Sequence, residues 1–207
     1  MRAILPQDIL AAGSMMRRNS AGLRITSQAV DWPGVLVEAG QNDIEEAEGQ
    51  LAGKHYLSLN LDDKPYAFEI KESRGFRSVV IPPQAIWICP ANEVVSARLS
   101  GPFPYLRMSI DARHLDRLLA ESPGDGKPVA LQRTYAIASP PIGHLLKALV
   151  AEADAGNPAG LAFVEAATAA LCRQLVRHAG TARAQSPAAR GGLSPTAKRR
   201  APELIDA

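Results

Sequence analysis

The sequence is poor in cysteine, in aromatic residues and in net charge. Two cysteines in 207 residues cannot build a disulfide framework. Cys89 and Cys172 fall in a predicted strand and a predicted helix, contexts that suit buried, reduced thiols. A cytoplasmic location is expected from this. The formal net charge of +2 is too small to argue for nucleic acid. No apolar run approaches the length that a bilayer requires, so no membrane partner is expected. Residues 1–13 lack the basic-then-apolar layout of a secretory signal. Catalytic motifs are missing too. There is no Gly-x-Ser-x-Gly elbow, no phosphate loop and no His-x-His pair. His55 is followed by Tyr56 and Leu57, and His114, His144 and His178 fall on predicted helices. A transition metal needs clustered nitrogen and carboxylate donors. No metal or other cofactor is therefore expected, and the chain is not expected to be an enzyme.

What is present is a series of short alternating segments between His55 and Ile110. Leu57, Leu59 and Leu61 alternate with Ser58 and Asn60, and Tyr66, Phe68 and Ile70 with Ala67, Glu69 and Lys71. Val95, Ala97 and Leu99 alternate with Ser96 and Arg98, and Leu106, Met108 and Ile110 with Tyr105, Arg107 and Ser109. Period two places one set on a core face and the other towards water or a cavity. Turn residues such as Asp62-Asp63-Lys64-Pro65, Pro82-Pro83 and Gly101-Pro102 separate the segments. Short strands at even spacing predict a sandwich or small barrel that closes on itself. Trp32-Pro33-Gly34 opens an earlier strand, Val35–Val37, and the acidic stretch 42–48 reads as a solvated edge or loop.

Helices follow. Asp111 is placed to cap a short helix over Ala112–Ala120, and 129–137 offers one more strand. Ser139-Pro140-Pro141 starts a helix whose stripe is Ile142, Leu145, Leu146, Leu149 and Val150. Gly156-Asn157-Pro158 ends it, and a second helix runs from about Ala159 to His178, closed by Gly180. Its Leu161, Val164, Thr168, Leu171 and Leu175 are spaced like a short heptad seam, and Ala166, Ala167, Ala169 and Ala170 keep the other faces slim. The favoured reading is a hairpin that also makes a homodimer; the alternative is that both helices pack only on their own barrel. Residues 181–192 read as a linker. The segment 193–207 reads as the opening of another helix, with basic residues Lys198, Arg199 and Arg200.

Taken in order, these features resemble the AraC/XylS family of transcription regulators. The matching stretches are Trp32-Pro33-Gly34-Val35, His55–Leu61, Ile81-Pro82-Pro83 with Ile86–Ala91, and Leu106–Asp111. The paired helices from Ser139 to Gly180 resemble the family's dimerisation hairpin. Gly191–Pro195 with Arg199, Arg200 and Glu203–Ile205 resembles the start of its DNA-binding domain. The resemblance implies a mainly β fold with α: a cupin-like double-stranded β-barrel followed by an α-helical hairpin. It divides the chain into an N-terminal arm (1–31), an effector-binding barrel (32–138), the hairpin (139–180), the linker (181–192) and a remnant of the first DNA-binding helix (193–207). The expected partners are a small-molecule effector and a second copy of the chain. DNA is expected only through a helix-turn-helix domain absent from this chain.

Within the barrel, the side chains expected to touch the effector are His55, Trp87 and Arg107, with Tyr105 in reserve. Trp87 offers a flat stacking surface, and Arg107 can pair with an anionic group. Alternation alone does not say which face is inside. A stand-alone cupin-like small-molecule binder or a cupin enzyme stays open as the second function.

Overall fold

The structure, a computed structural model, describes residues 23–42, 46–50, 52–120 and 129–182. Most of the expected arm and linker, the loop 122–128 and the segment 193–207 lie outside the described residues. Among the described residues, the framework is twelve strands and three α-helices, and all the strand pairs are antiparallel. A six-stranded sheet contains β1 (Leu23–Thr26), β2 (Val35–Asn42), β9 (Phe103–Asp111), β4 (Lys54–Asn60), β7 (Ile86–Cys89) and β11 (Thr134–Ile137), in that order. A four-stranded sheet has the order β3 (Glu46–Gln50), β8 (Val94–Leu99), β5 (Tyr66–Glu72) and β6 (Gly75–Ile81). Between α1 (Ala112–Ala120) and β11 comes β10 (Val129–Leu131), which pairs with the final strand β12 (Gly180–Ala182).

The two sheets share an interior. Tyr56, Trp87 and Cys89 from the larger sheet pack with Phe68, Ile70, Val79, Ile81, Val95 and Ala97 from the smaller. The other face of the larger sheet is covered by α2 (Pro140–Asp154) and α3 (Gly160–Ala179). There Leu57, Leu59, Ile86, Ile88, Leu106 and Met108 meet Ile142, Leu146, Leu149, Val164, Leu171 and Leu175. This is a cupin-like double-stranded β-barrel followed by an α-helical hairpin. The pleat explains how one sheet serves two cores. Odd residues of β4 and even residues of β7 and β9 face the helices, and their neighbours face the barrel.

Local chemistry fixes the corners. Gly34 has φ +67°, and a Cβ there would come within 2.8 Å of His114 on α1, so the turn opening β2 requires glycine on both counts. Asn60 is fully buried at the end of β4. Its side-chain amide donates to the carbonyls of Lys64, Ile81 and Pro82 at 3.0, 3.2 and 3.1 Å, and its Oδ1 accepts from Asp62 N–H. One side chain thus ties the β4–β5 turn to the end of β6.

Some expectations change. Residues 23–31 hold β1 and a 3₁₀ turn, Ser27–Val30, rather than a free arm. The acidic stretch holds the end of β2 and the start of β3. Asp111 closes β9 and meets Lys54 across the strand at 3.5 Å; Ser139 stands at the N-cap of α2 without a side-chain cap bond. Segment 129–137 is two short strands instead of one. The expected linker begins as β12, because Gly180 is extended and its chain pairs with β10. Among the described residues, no helix is long and apolar enough to cross a membrane.

The seam assigned to a dimer is also corrected. Val164, Thr168, Leu171 and Leu175 are at most 3 % exposed, and the three aliphatic members belong to the core between helices and sheet. They face their own barrel because the stripe is wider than two positions in seven, with Ala167, Cys172 and Ala179 buried beside them. Of the five seam residues only Leu161 is exposed.

Asn60→Leu is expected to lower the unfolding free energy by about 2–4 kcal/mol, since three carbonyls and one amide lose their partner in a dry site. Urea denaturation followed by circular dichroism measures it; a change below 1 kcal/mol, taken as the lower limit for such a loss, would show that the turns hold without it.

Candidate functional site in the barrel interior

Four strands place a row of side chains across the barrel-facing side of the larger sheet. Glu38 on β2 is registered with Arg107 on β9, Arg107 with Ser58 on β4, and Ser58 with Trp87 on β7. Each is less than 10 % exposed. Tyr105 lies two residues from Arg107 on the same face, and the guanidinium carbon of Arg107 stands 3.4 Å from the centroid of its ring. Tyr56 and Ser109, registered with each other, extend the row on the other side.

Aromatic side chains surround this polar row. Of the ten aromatic residues in the chain, only Trp32, Phe76 and Phe163 lie outside the interior. Trp87 packs against Tyr56 at 5.3 Å and Phe68 at 5.6 Å between ring centroids. Tyr66 and Phe103, from opposite sheets, stack at 3.9 Å with planes 4° apart. Tyr135 reaches Phe68 at 6.3 Å from the edge strand β11. Offset and tilted ring pairs of this kind stabilise the interior beyond their buried area.

The electrostatics are costly. Burial pushes the Glu38 carboxyl above its ordinary range, and the charge of Arg107 pulls back without overcoming it. Burial also drives the Tyr56 and Tyr66 hydroxyls far up, so both are neutral donors at any ordinary pH. The Tyr56 hydroxyl and Ser109 Oγ are buried and make no hydrogen bond. Ser58 and Trp87 face the Tyr66 hydroxyl, but no bond to it is completed within hydrogen-bond distance and angle. Buried hydroxyls without partners are rare because each costs roughly 1–3 kcal/mol. Several of them surround one carboxyl and one guanidinium on this wall. The thiol of Cys89, also inside, is pushed up to about 12 by burial and is no nucleophile at neutral pH.

Trp87, Arg107 and Tyr105, expected to touch an effector, stand together on this wall. His55 does not. It is an odd residue of β4, registered with Ile110, so it lies on the helix-facing side, where its Nδ1 accepts from Ala91 N–H at 3.1 Å. Glu38, Ser58, Tyr56 and Ser109 were not anticipated. The parity that makes Leu57 and Leu59 face the helices also turns Tyr56, Ser58 and Asn60 inwards, and that alternation was visible. Among the described residues, no three His, Cys, Asp or Glu side chains come together as a metal site. Outside the barrel, an open groove of about 710 Å³ is lined by Gly34, Asn92, Asp111, His114 and Arg117; none of the expected effector contacts borders it.

No protein-family model matches the chain, and neither does any curated protein. Among solved structures it is similar to a cupin domain from Bordetella pertussis Tohama I, at 15 % identity over 44 % of this chain and 95 % of that one, with a TM-score of 0.34. It is also similar to the EutQ protein of Clostridium difficile, at 9 % identity over 39 % of this chain and 59 % of that one, with a TM-score of 0.31. A cupin superfamily protein from Desulfitobacterium hafniense aligns at 14 % identity over 39 % of this chain and 71 % of that one, with a TM-score of 0.30. The fold assignment itself rests on the two sheets and their common interior.

Glu38→Gln is expected to raise the melting temperature at pH 7 and to have little effect at pH 4. A carboxyl whose folded pKa is raised contributes fully below its unfolded value, near 4.5, and loses that contribution as pH rises through the folded value. Melting curves of both proteins across this range check the sign; a gap that widens towards acid would reverse it.

Proposed function

We propose that the chain is the effector-binding and dimerisation module of an AraC-type transcription regulator, a binder and not an enzyme. The observation that carries the proposal is the buried row Glu38–Arg107–Ser58–Trp87, enclosed by rings and accompanied by hydroxyls that lack partners. An aromatic wall beside a few placed polar groups is the chemistry of a small-molecule pocket. A role in orientation is favoured for the polar groups, because burial holds the Cys89 thiol and the Tyr56 and Tyr66 hydroxyls protonated. The order of the sequence motifs favours the regulator over a stand-alone binder. The helical pair behind the barrel is the surface such a module would offer a second copy.

A thermal-shift screen of sugars, aromatic acids and other metabolites is expected to find a stabilising ligand, because binding to the folded state alone raises its stability by mass action. Trp87→Ala and Arg107→Ala are each expected to reduce the shift at fixed ligand concentration, by about tenfold in affinity. Full response in both variants would move the site elsewhere.

Dimerisation, on this reading, uses the outer face of α3. Leu161 and Phe163 are exposed in its first turn, one on each side of the face that carries Ala162 and Ala166. The paired change Leu161→Glu and Phe163→Glu is expected to halve the mass in light scattering and leave the circular dichroism spectrum intact. Leu171→Asp is expected instead to unfold the chain, because it buries a charge in the core. A dimer that persists in the paired variant would exclude this face.

A further inference from the structure

We infer that the segment from Val129 to Ile137 is a hinged strap: it closes the barrel interior and couples it to the chain leaving α3. The inference rests on the interior being a ligand chamber, but its test needs no ligand.

Four observations support it. The interior is shut: Tyr56, Ser58, Phe68, Trp87 and Arg107 are all at most 5 % exposed. A solute can reach them only if something on the rim moves. The strap is the weakly held part of that rim. Its strand β11 has only two registered pairs with β7, Thr134 with Ile88 and Ile137 with Ile86, and the register breaks between them. Ala136, at the break, has φ +57°, a conformation that costs a residue with a Cβ.

Between the buried core residues Leu131 and Ile137, the middle of the strap is held by discrete contacts. Arg133 pairs with Glu93 in the β7–β8 turn and donates to the carbonyl of Val94 at 3.2 Å. The ring of Tyr135, half-buried, rests on Phe68 and is covered by the guanidinium of Arg77 from β6, 4.9 Å from its centroid. The line Tyr135–Phe68–Trp87 leads from the rim to the polar row. The strap's other end is zipped to the exit of α3. Val129, Ala130 and Leu131 pair with Ala182, Thr181 and Gly180, and Gln132 N–H donates to the carbonyl of Ala179 at 2.8 Å. A displacement of Tyr135 therefore pulls on β12 within a few residues. Weakly held elements of this kind open at free energies well below that of global unfolding.

Acrylamide quenching of tryptophan fluorescence reads the gate directly. Trp32→Phe leaves Trp87 as the sole tryptophan, inside the barrel; Trp87→Phe leaves Trp32, in the helix-side core, as the control. In the Trp87-only background, Arg133→Ala and Tyr135→Ala are each expected to raise the quenching constant about threefold, as local opening allows. Ala136→Gly, which relieves the backbone strain of the closed strap, is expected to leave the constant unchanged or lower it. Trp32 quenching is expected to stay constant in all three. Amide exchange at Thr181 and Ala182 is expected to quicken in the two opening variants and not in Ala136→Gly. Unchanged Trp87 quenching in folded Arg133→Ala and Tyr135→Ala would overturn the gate. So would equal increases at Trp32 and Trp87, which report general loosening. Opened quenching with unaltered exchange at β12 would overturn the coupling. A screen that finds no ligand, with the quenching result as expected, would count against the chamber and leave the gate standing.

Discussion

The six-stranded sheet is buried on both faces, and that constraint governs the rest of the structure. A one-residue slip turns every side chain of a strand to the opposite face, so each buried face specifies the register. Here a one-residue slip in β4 or β9 would drive Ser58 and Arg107 into the leucines of α2 and α3 and put Leu57 and Met108 among the tyrosines. The two faces therefore police each other. On one, Leu57, Ile88 and Met108 are matched to aliphatic helix residues, and ordinary apolar burial holds them. On the other, the same strands carry Ser58, Trp87 and Arg107, which face the barrel interior. The apolar face sets the register, and the register assembles the polar row.

This division explains what was legible in the sequence. Strands were readable wherever hydrophobic and polar residues alternate, and helices wherever a stripe recurs at three and four. Alternation has no sign, however: a polar residue between leucines points either to water or to an enclosed chamber. His55 and Arg107 looked equivalent on that basis, and the helices packed behind the sheet separate them. The strand β6 escaped notice because Phe76 and Val80 place apolar residues on its outer side and blur the pattern. The spacing from Val164 to Leu175 fits a coiled-coil seam and a core-facing helix equally well. The width of the stripe decides, through Ala167 and Cys172, small residues that carry little hydrophobic signal.

The segment after α1 was the least legible for a physical reason. Residues 129–137 make two strands of three and four residues, too short for periodicity to register, and one contains an alanine at positive φ that no propensity would place there. Its conformation is imposed by what it spans. Tyr135 must reach Phe68, Arg133 must reach Glu93, and Val129–Leu131 must meet the residues that follow α3. Tertiary contacts at both ends override local preference in the middle. Ala136 carries the backbone strain of that compromise.

The energetic cost of the interior supports the proposed binding role. Replacing a buried charge couple such as Glu38 and Arg107 by apolar residues of similar volume is often neutral or stabilising. The same barrel shows that apolar filling is available, since Phe68, Ile70, Ile81 and Val95 occupy the opposite wall without penalty. The buried hydroxyls of Tyr56 and Ser109, which have no protein hydrogen-bond partner, add a further cost. A bound solute with hydrogen-bonding groups along one edge would satisfy these atoms, and a flat apolar face would meet Trp87 and Phe68. On the proposed reading, binding recovers the free energy that folding leaves unrecovered in the polar row. A chamber of this kind is least stable empty, and its stability responds most to the ligand that fits it.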